Sequence, residues 1–102
     1  MTTYTIRWLP RSLQNYRRVI EYLKKEWGQK TINGFIDKTE ANLLLLQQGT
    51  MTGVRLQKDT SIHRILITKH NYLIYRIRPR KSEIELLAFW DTRQDPKKAN
   101  FD

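Results

Sequence analysis

The stretch "HRILITKHNYLIYRIRPRKSEIELLAFWDT", which runs from His63 to Thr92, decides the fold. It holds three segments rich in β-branched and aromatic residues, near 63–68, 72–79 and 83–92, and this composition is typical of strands. "KHN" and "RKS" separate the segments, and each is short enough for a hairpin turn. The stretch therefore predicts three sequential antiparallel strands.

The residues before these strands predict one further strand and a helix. "TIRWLP", at 5–10, alternates apolar and polar residues and is closed by Pro10. The apolar residues then recur at steps of three and four, which is the period of a helix buried along one side. In this helix they are Leu13, Tyr16, Ile20, Leu23 and Trp27, and we expect them in the core.

Two signals place the ends of this first helix: Ser12 is its expected cap, and Gly28 suits its end. A second helical stripe covers residues 32–46. The turn between the two stripes is short, so the helices should form an antiparallel hairpin. Residues 49–61 carry two glycines and several small polar residues, and they are predicted to form a long loop.

The resulting order of elements is β-α-α-β-β-β, in a single domain over residues 1–102. We expect an α+β fold in which the helical hairpin packs on one face of a small antiparallel sheet. The other face of the sheet should stay partly open.

Arginines are predicted to line that open face. Alternation along residues 72–78 sends Arg76 and Arg78 away from the helices. Arg64 begins the neighbouring strand and Arg93 follows the last one, so we expect all four arginines to border one surface. Guanidinium groups hold phosphates and carboxylates by paired hydrogen bonds.

Two interpretations of this face stay open. In the first, it contacts a nucleic acid or another target, and Tyr72 and Trp90 add stacking surfaces for unpaired bases. In the second, the arginines only solvate the sheet while Glu83, Glu85 and Asp91 pair with them, which is the usual situation for surface charges.

Charge and composition limit the class of protein. The chain has 19 Lys+Arg against 10 Asp+Glu, a formal charge of +9, which attracts polyanions such as nucleic acids or acidic proteins. It has no cysteine, which excludes disulfides, thiolate zinc sites and cysteine nucleophiles. No apolar run is long enough to span a membrane and no signal peptide is evident, so we expect a cytoplasmic protein without a membrane partner.

The two histidines, His63 and His70, do not have the spacing of metal ligands, and the four glycines are scattered instead of forming a phosphate loop. The sequence therefore predicts neither a metal nor a cofactor. A histidine in a turn or at a strand edge most simply has no catalytic role.

The order and spacing of several motifs resemble the RelE/ParE superfamily, toxins of bacterial type II toxin–antitoxin modules. These motifs are "YLIYRI", a variable turn, the strand "IELLAFW", and an arginine directly before "QDP". The likeness covers nearly the whole chain. It implies a growth inhibitor neutralised by a cognate antitoxin, and two known activities: RelE-like members cut mRNA at the ribosome, whereas ParE-like members poison DNA gyrase.

The resemblance also suggests roles for particular residues. Arg93 matches the family arginine at the end of the last strand, and Arg64 lies near the basic positions of the preceding strands; both would be catalytic only in an mRNA interferase. Tyr72 stands where RelE proper has an arginine. The catalytic tyrosine of RelE has no counterpart, since Ala99 occupies the nearest position, and Asp91 stands where many relatives have histidine.

Asp91, Arg93 and Asp95 therefore predict a self-paired polar rim at the end of the last strand. A neighbouring arginine lowers the pKa of a carboxyl, which makes Asp91 a poor general base. This favours a docking surface, and so a ParE-like protein that acts on DNA gyrase. The alternative is a metal-free, ribosome-dependent endoribonuclease.

In either case the resemblance implies a cognate antitoxin, which we expect to be acidic and to form a hetero-oligomer with the toxin. It should add a helix or strand over apolar surface near the helical hairpin and the last strand.

Overall fold

The computed structural model describes residues 3–50, 53–56 and 61–96, which form two helices and a five-stranded sheet. The elements in chain order are β1 (Thr5–Trp8), α1 (Pro10–Glu26), α2 (Gln29–Gln47), β2 (Val54–Arg55), β3 (Ile62–Thr68), β4 (Asn71–Arg78) and β5 (Glu83–Asp91). A 3-10 turn, Pro79–Lys81, joins β4 to β5. The predicted α+β fold is confirmed. The short strand β2 lies inside the predicted long loop, of which residues 51–52 and 57–60 lie outside the described ranges.

The sheet order is β1-β5-β4-β3-β2. The predicted antiparallel run of β3, β4 and β5 is confirmed. The predicted antiparallel sheet needs one correction, at β1, which pairs parallel with β5 from Thr5 opposite Glu83 to Trp8 opposite Leu86. The connection between these two strands runs from α1 through β4, and parallel strands need a long connection of this kind.

The first helix begins earlier than predicted. Pro10 occupies its first turn, where a missing N–H costs nothing, and Leu9 is the cap residue. Ser12 is therefore not the cap: it is buried within the first turn, and its hydroxyl donates to the Leu9 carbonyl at 2.7 Å. Gly28 ends α1 as predicted, with a φ of 101° that favours glycine and its N–H bonded to the Leu23 carbonyl.

The main core lies between the helices and the sheet. Phe89 of β5 is its centre, with the rings of Trp8, Tyr16 and Phe35 at 5.9, 5.2 and 5.9 Å. Most of the predicted stripe of α1 packs here, but Trp27 does not: it lies just past the helix end and is 66% exposed. Leu13 is also wrong as a core residue, since it is 36% exposed.

A second, smaller core closes the centre of the opposite face. Ile74 and Ala88 form its middle and are almost inaccessible, packed with Leu56, Ile62 and Leu87. A β-bulge makes this possible, because Leu87 is an extra residue between the paired positions of β5 and turns toward this side. The expected open face is therefore open only toward the ends of the strands.

Candidate functional site

Three arginines surround one buried carboxylate at the end of the sheet where β5 begins. The Nε–H of Arg78 donates to Glu85 at 2.8 Å, and the guanidinium groups of Arg76 and Arg7 lie 3.6 and 3.8 Å from the same carboxylate. The side chain of Glu85 is only 8% exposed. We call Arg7, Arg76, Arg78 and Glu85 the arginine cluster.

Strand register builds the arginine cluster. Glu85 lies opposite Arg76 on β4 and opposite Arg7 on β1, so three neighbouring strands point these side chains to the same face. The hydrogen bond from Arg78 holds the pKa of Glu85 below its ordinary value, against the opposing effect of burial. Glu83 lies on the same face opposite Arg78, and its Oε1 is buried without a hydrogen-bond partner among the described residues.

Two more cations extend this end of the molecule. Arg80 and Lys81 lie exposed in the turn that follows Arg78. Together with the three arginines they give five positive charges against the two carboxylates of this face, Glu83 and Glu85, hence a net 5 − 2 = +3. The second interpretation of this face, in which carboxylates pair with the arginines, is thus correct for Glu85. Positive charges nevertheless remain in excess at this end of the sheet.

The opposite end of β5 carries a different ion pair. Arg93 Nη2 lies 2.6 Å from Asp91 Oδ2, its Nε lies 3.1 Å from Oδ1, and its backbone N–H donates to Oδ1 at 2.9 Å. These hydrogen bonds lower the pKa of Asp91 to about 2. The predicted self-pairing is confirmed for Asp91 and Arg93, although it forms in a turn, because the strand ends at Asp91. Asp95 lies exposed further along the same segment.

The two ends are far apart. Arg78 pairs with Glu83 at the start of β5, whereas Arg93 lies beyond Asp91 at its end. Eight residues of extended chain span roughly 26 Å. Arg64, Arg76 and Arg78 do share one face of the sheet, but the expectation that Arg93 borders the same surface is wrong.

The two predicted stacking residues are already in contact with arginines. Tyr72 and Trp90 both pack against the second core and are half-buried. The guanidinium of Arg64 lies 4.7 Å above the ring of Tyr72, and that of Arg11 lies 5.9 Å above Trp90. The indole N–H of Trp90 donates to the Gln94 carbonyl at 3.1 Å. On the covered side of each ring, an arginine takes the position that a stacked base would need.

The histidines have separate environments. His63 is buried, stacks on Tyr75 at 5.5 Å, and its Nδ1 lies 3.0 Å from the Ser61 carbonyl. His70 is exposed in the β3–β4 turn and close enough to Asp91 to lower its pKa further. The Tyr22 side chain of α1 contributes to the raised pKa of Arg93. In the described ranges no group of three potential metal ligands occurs.

Sequence reasoning missed two features of these sites. It did not identify Arg7 as a cluster member, because the pairing of β1 with β5 has no local signal. It also did not identify His70 as a neighbour of the end of β5, where the Thr92 N–H donates to its carbonyl. The alternation of Glu83 and Glu85 with buried residues was the one signal that pointed to Glu85 as an arginine partner.

Residues 6–96, which include both ends of the sheet, match the sequence model of the ParE toxin of type II toxin–antitoxin systems, parDE. The chain belongs to the ParE toxin family. This confirms the resemblance that the strand motifs indicated. No helix in the described part of this ParE-family chain is long and apolar enough to cross a membrane.

A solved structure agrees with the fold. The chain is similar to one in the chromosomal ParDE toxin–antitoxin system from P. aeruginosa, with a TM-score of 0.70 and 12% sequence identity. The alignment covers 89% of this chain and 98% of that one. No functionally curated protein matches the sequence. At this identity the ParE fold is shared, while the residues of the arginine cluster must be interpreted from their own geometry.

Proposed function

We propose that this ParE-family protein is the toxin of a type II toxin–antitoxin module and arrests bacterial growth by poisoning DNA gyrase, without catalysing a reaction itself. The observation that carries the proposal is the Asp91–Arg93 ion pair. It occupies the position where RNA-cutting relatives are expected to hold a histidine.

The chemistry of that pair supports binding over cleavage. Metal-free RNA cleavage needs a base to activate the ribose 2′-OH and an acid for the leaving oxygen. With a pKa of about 2, Asp91 is ionised at neutral pH and holds no proton to donate. It is also a very weak base, and its oxygens already accept three hydrogen bonds from the side chain of Arg93. A surface that only binds a protein partner needs neither a general base nor a general acid.

The partner that should neutralise the toxin is an acidic antitoxin, which forms a hetero-oligomer with it in the cytoplasm. Its contact surface is proposed on the helical hairpin, where Tyr22, Trp27 and Leu44 are 58%, 66% and 53% exposed. Exposed aromatic side chains are typical anchors of protein interfaces. The net charge of +9 favours an acidic partner.

A supercoiling assay tests the gyrase proposal. Purified gyrase and relaxed plasmid are incubated with increasing amounts of the toxin, with and without its antitoxin. We expect less supercoiled product, an accumulation of cleaved plasmid complexes, and full recovery when antitoxin is added first. Unchanged supercoiling at every concentration, from toxin that still arrests growth, would rule gyrase out.

One observation favours a second function, the ribosome-dependent mRNA interferase. The Thr92 N–H donates to the His70 carbonyl at 3.0 Å, which places His70 beside the end of β5, and Tyr22 contributes to the raised pKa of Arg93. Primer extension on an mRNA translated in a purified system tests this function. Cuts that need ribosomes and vanish in Arg93→Ala, while antitoxin binding persists, would establish it in place of gyrase poisoning.

A further inference from the structure

We propose that the arginine cluster, together with Arg80 and Lys81, binds the phosphate backbone of duplex DNA. The inference comes from the geometry of the cluster, and only the choice of DNA over RNA rests on the proposed gyrase function. This site lies at the end of the sheet away from the Asp91–Arg93 pair.

The buried carboxylate of Glu85 organises the site. It holds Arg78 by a direct hydrogen bond, while Arg7 stands at 3.8 Å, beyond hydrogen-bond distance. The side chain of Arg78 is 41% exposed, so its guanidinium group reaches solvent although the carboxylate orients it, and Arg7, 57% exposed, adds a second accessible cation beside it. Guanidinium groups fixed in this way lose less side-chain entropy on meeting a phosphate, and their planar forks suit its oxygens.

Charge is concentrated at this end. Five cations stand against Glu83 and Glu85, whereas the pair at the other end of β5 cancels. A local net charge of +3 at one end of the sheet is the electrostatic footprint of a phosphate-binding region.

The surroundings argue against a protein as the ligand. The large exposed apolar side chains among the described residues lie on the helical hairpin, or on β2 and β3: Leu13, Tyr22, Trp27, Leu44, Leu45, Val54 and Leu66. None lies on β1, β4 or β5, which carry the cluster. Protein interfaces draw their affinity from buried apolar and aromatic anchors, whereas phosphate contacts need only cations and hydrogen-bond donors.

The absence of aromatic rings in the cluster favours a duplex over a single strand. Proteins that hold single strands stack bases on aromatic side chains. Tyr72 and Trp90 pair with each other near the far ends of β4 and β5, and arginines already lie over both rings. The mode of binding left for the cluster is contact with the phosphates along the outside of a duplex. Such binding does not depend on base sequence.

The test is fluorescence anisotropy of a short labelled DNA duplex titrated with the full-length protein at several salt concentrations. The variant is Arg7→Gln/Arg80→Gln, which leaves the Arg78–Glu85 hydrogen bond in place. The control is Arg17→Gln/Arg18→Gln, which removes the same charge from exposed positions of α1, on the other face of the sheet. We expect the cluster variant to bind about tenfold more weakly and the slope of log K against log salt to fall by about two, with little change in the control.

Several results would overturn the proposal. They are no binding of the duplex by the wild-type protein at low salt, an unchanged salt slope in the cluster variant, or equal losses in both double variants. Tighter cluster-dependent binding of double-stranded RNA, or of a polyglutamate peptide, would assign the site to a different partner. Because gyrase is absent from this assay, its outcome is separate from that of the supercoiling assay, in which the same variants are then measured.

Discussion

Both ends of β5 carry a carboxylate paired with arginine, but one pair is buried and the other is exposed. At its start, one carboxylate, Glu85, is 8% exposed and meets three arginines. At its end Asp91 is 36% exposed and meets Arg93, which is itself 86% exposed. A buried charge needs partners to compensate for lost solvation, whereas an exposed pair is largely screened by water. The first end should therefore matter for stability and for binding polyanions, and the second mainly for recognition.

Replacing Glu85 with Gln should lower the free energy of unfolding more than any other substitution at the two ends of β5. The change removes the charge that compensates three guanidinium groups, and we expect the free energy of unfolding to fall by about 2 kcal/mol, less than for a fully buried pair because the arginines reach solvent. Urea denaturation followed by circular dichroism measures it. A loss as small as that of an exposed pair would show that Glu85 is not the organising group.

Replacing Arg78 with Gln should cost clearly less than replacing Glu85, because Arg76 and Arg7 still face the carboxylate. Arg7→Gln should cost least of the three, since its ion pair is long and well exposed. A double-mutant cycle between positions 78 and 85 should show coupling, and one between 7 and 85 almost none. Equal coupling in both cycles would contradict the geometry of the cluster.

The contribution of Asp91 to the free energy of unfolding should depend on pH. Its pKa is depressed to about 2 from the ordinary 3.8, so its stabilising contribution is present above pH 3.8 and is lost as the pH falls through about 2. We expect Asp91→Asn to reduce the unfolding free energy by less than about 1 kcal/mol at pH 6, with the difference from wild type vanishing near pH 2. Urea titrations at a series of pH values measure this difference. A difference that grows on acidification would reverse the sign and refute the assignment.

Arg93→Ala should have the smallest effect on stability, because this side chain is almost fully exposed. At pH 6 we expect the urea midpoint to fall no more than in Asp91→Asn, because the same exposed ion pair is lost, and the main consequence should be in growth arrest. The growth of cells that express the variant without antitoxin is measured separately from the urea midpoint, so that a loss of growth arrest can be distinguished from a loss of stability. Loss of folding in this variant would mean that the two ends of β5 are energetically alike.

Much of the architecture could be predicted because it depends on local periodicity. Both helices, the three hairpin-linked strands and the helix-facing side of β4 follow from steps of three and four or from alternation. The parallel neighbour of β5 could not be predicted, because period-two patterns identify faces and not strand order. For the same reason Arg7 stayed outside the predicted site. Trp27 matched the helical period, but the helix ends at Glu26 and leaves it in solvent.

Predictions about the site depended on pairing as well as on faces. Asp91 and Arg93 lie two residues apart, so local chemistry was enough to predict their ion pair. Placing Arg93 with Arg64, Arg76 and Arg78 required the length and register of β5, which composition does not contain.

The parallel pairing of β1 with β5 also affects the order in which the parts of the sheet can form. β5 lies between β1 and β4, and it is synthesised after both of these neighbours. Until it emerges, β1 has no partner, Phe89 is missing from the main core and Arg7 has no carboxylate to face. Folding therefore waits for the closure of a long-range contact instead of proceeding strand by strand. A chain that has not yet added β5 lacks both Glu85 and Asp91, so the arginine cluster and the Asp91–Arg93 pair form only once this strand is in place.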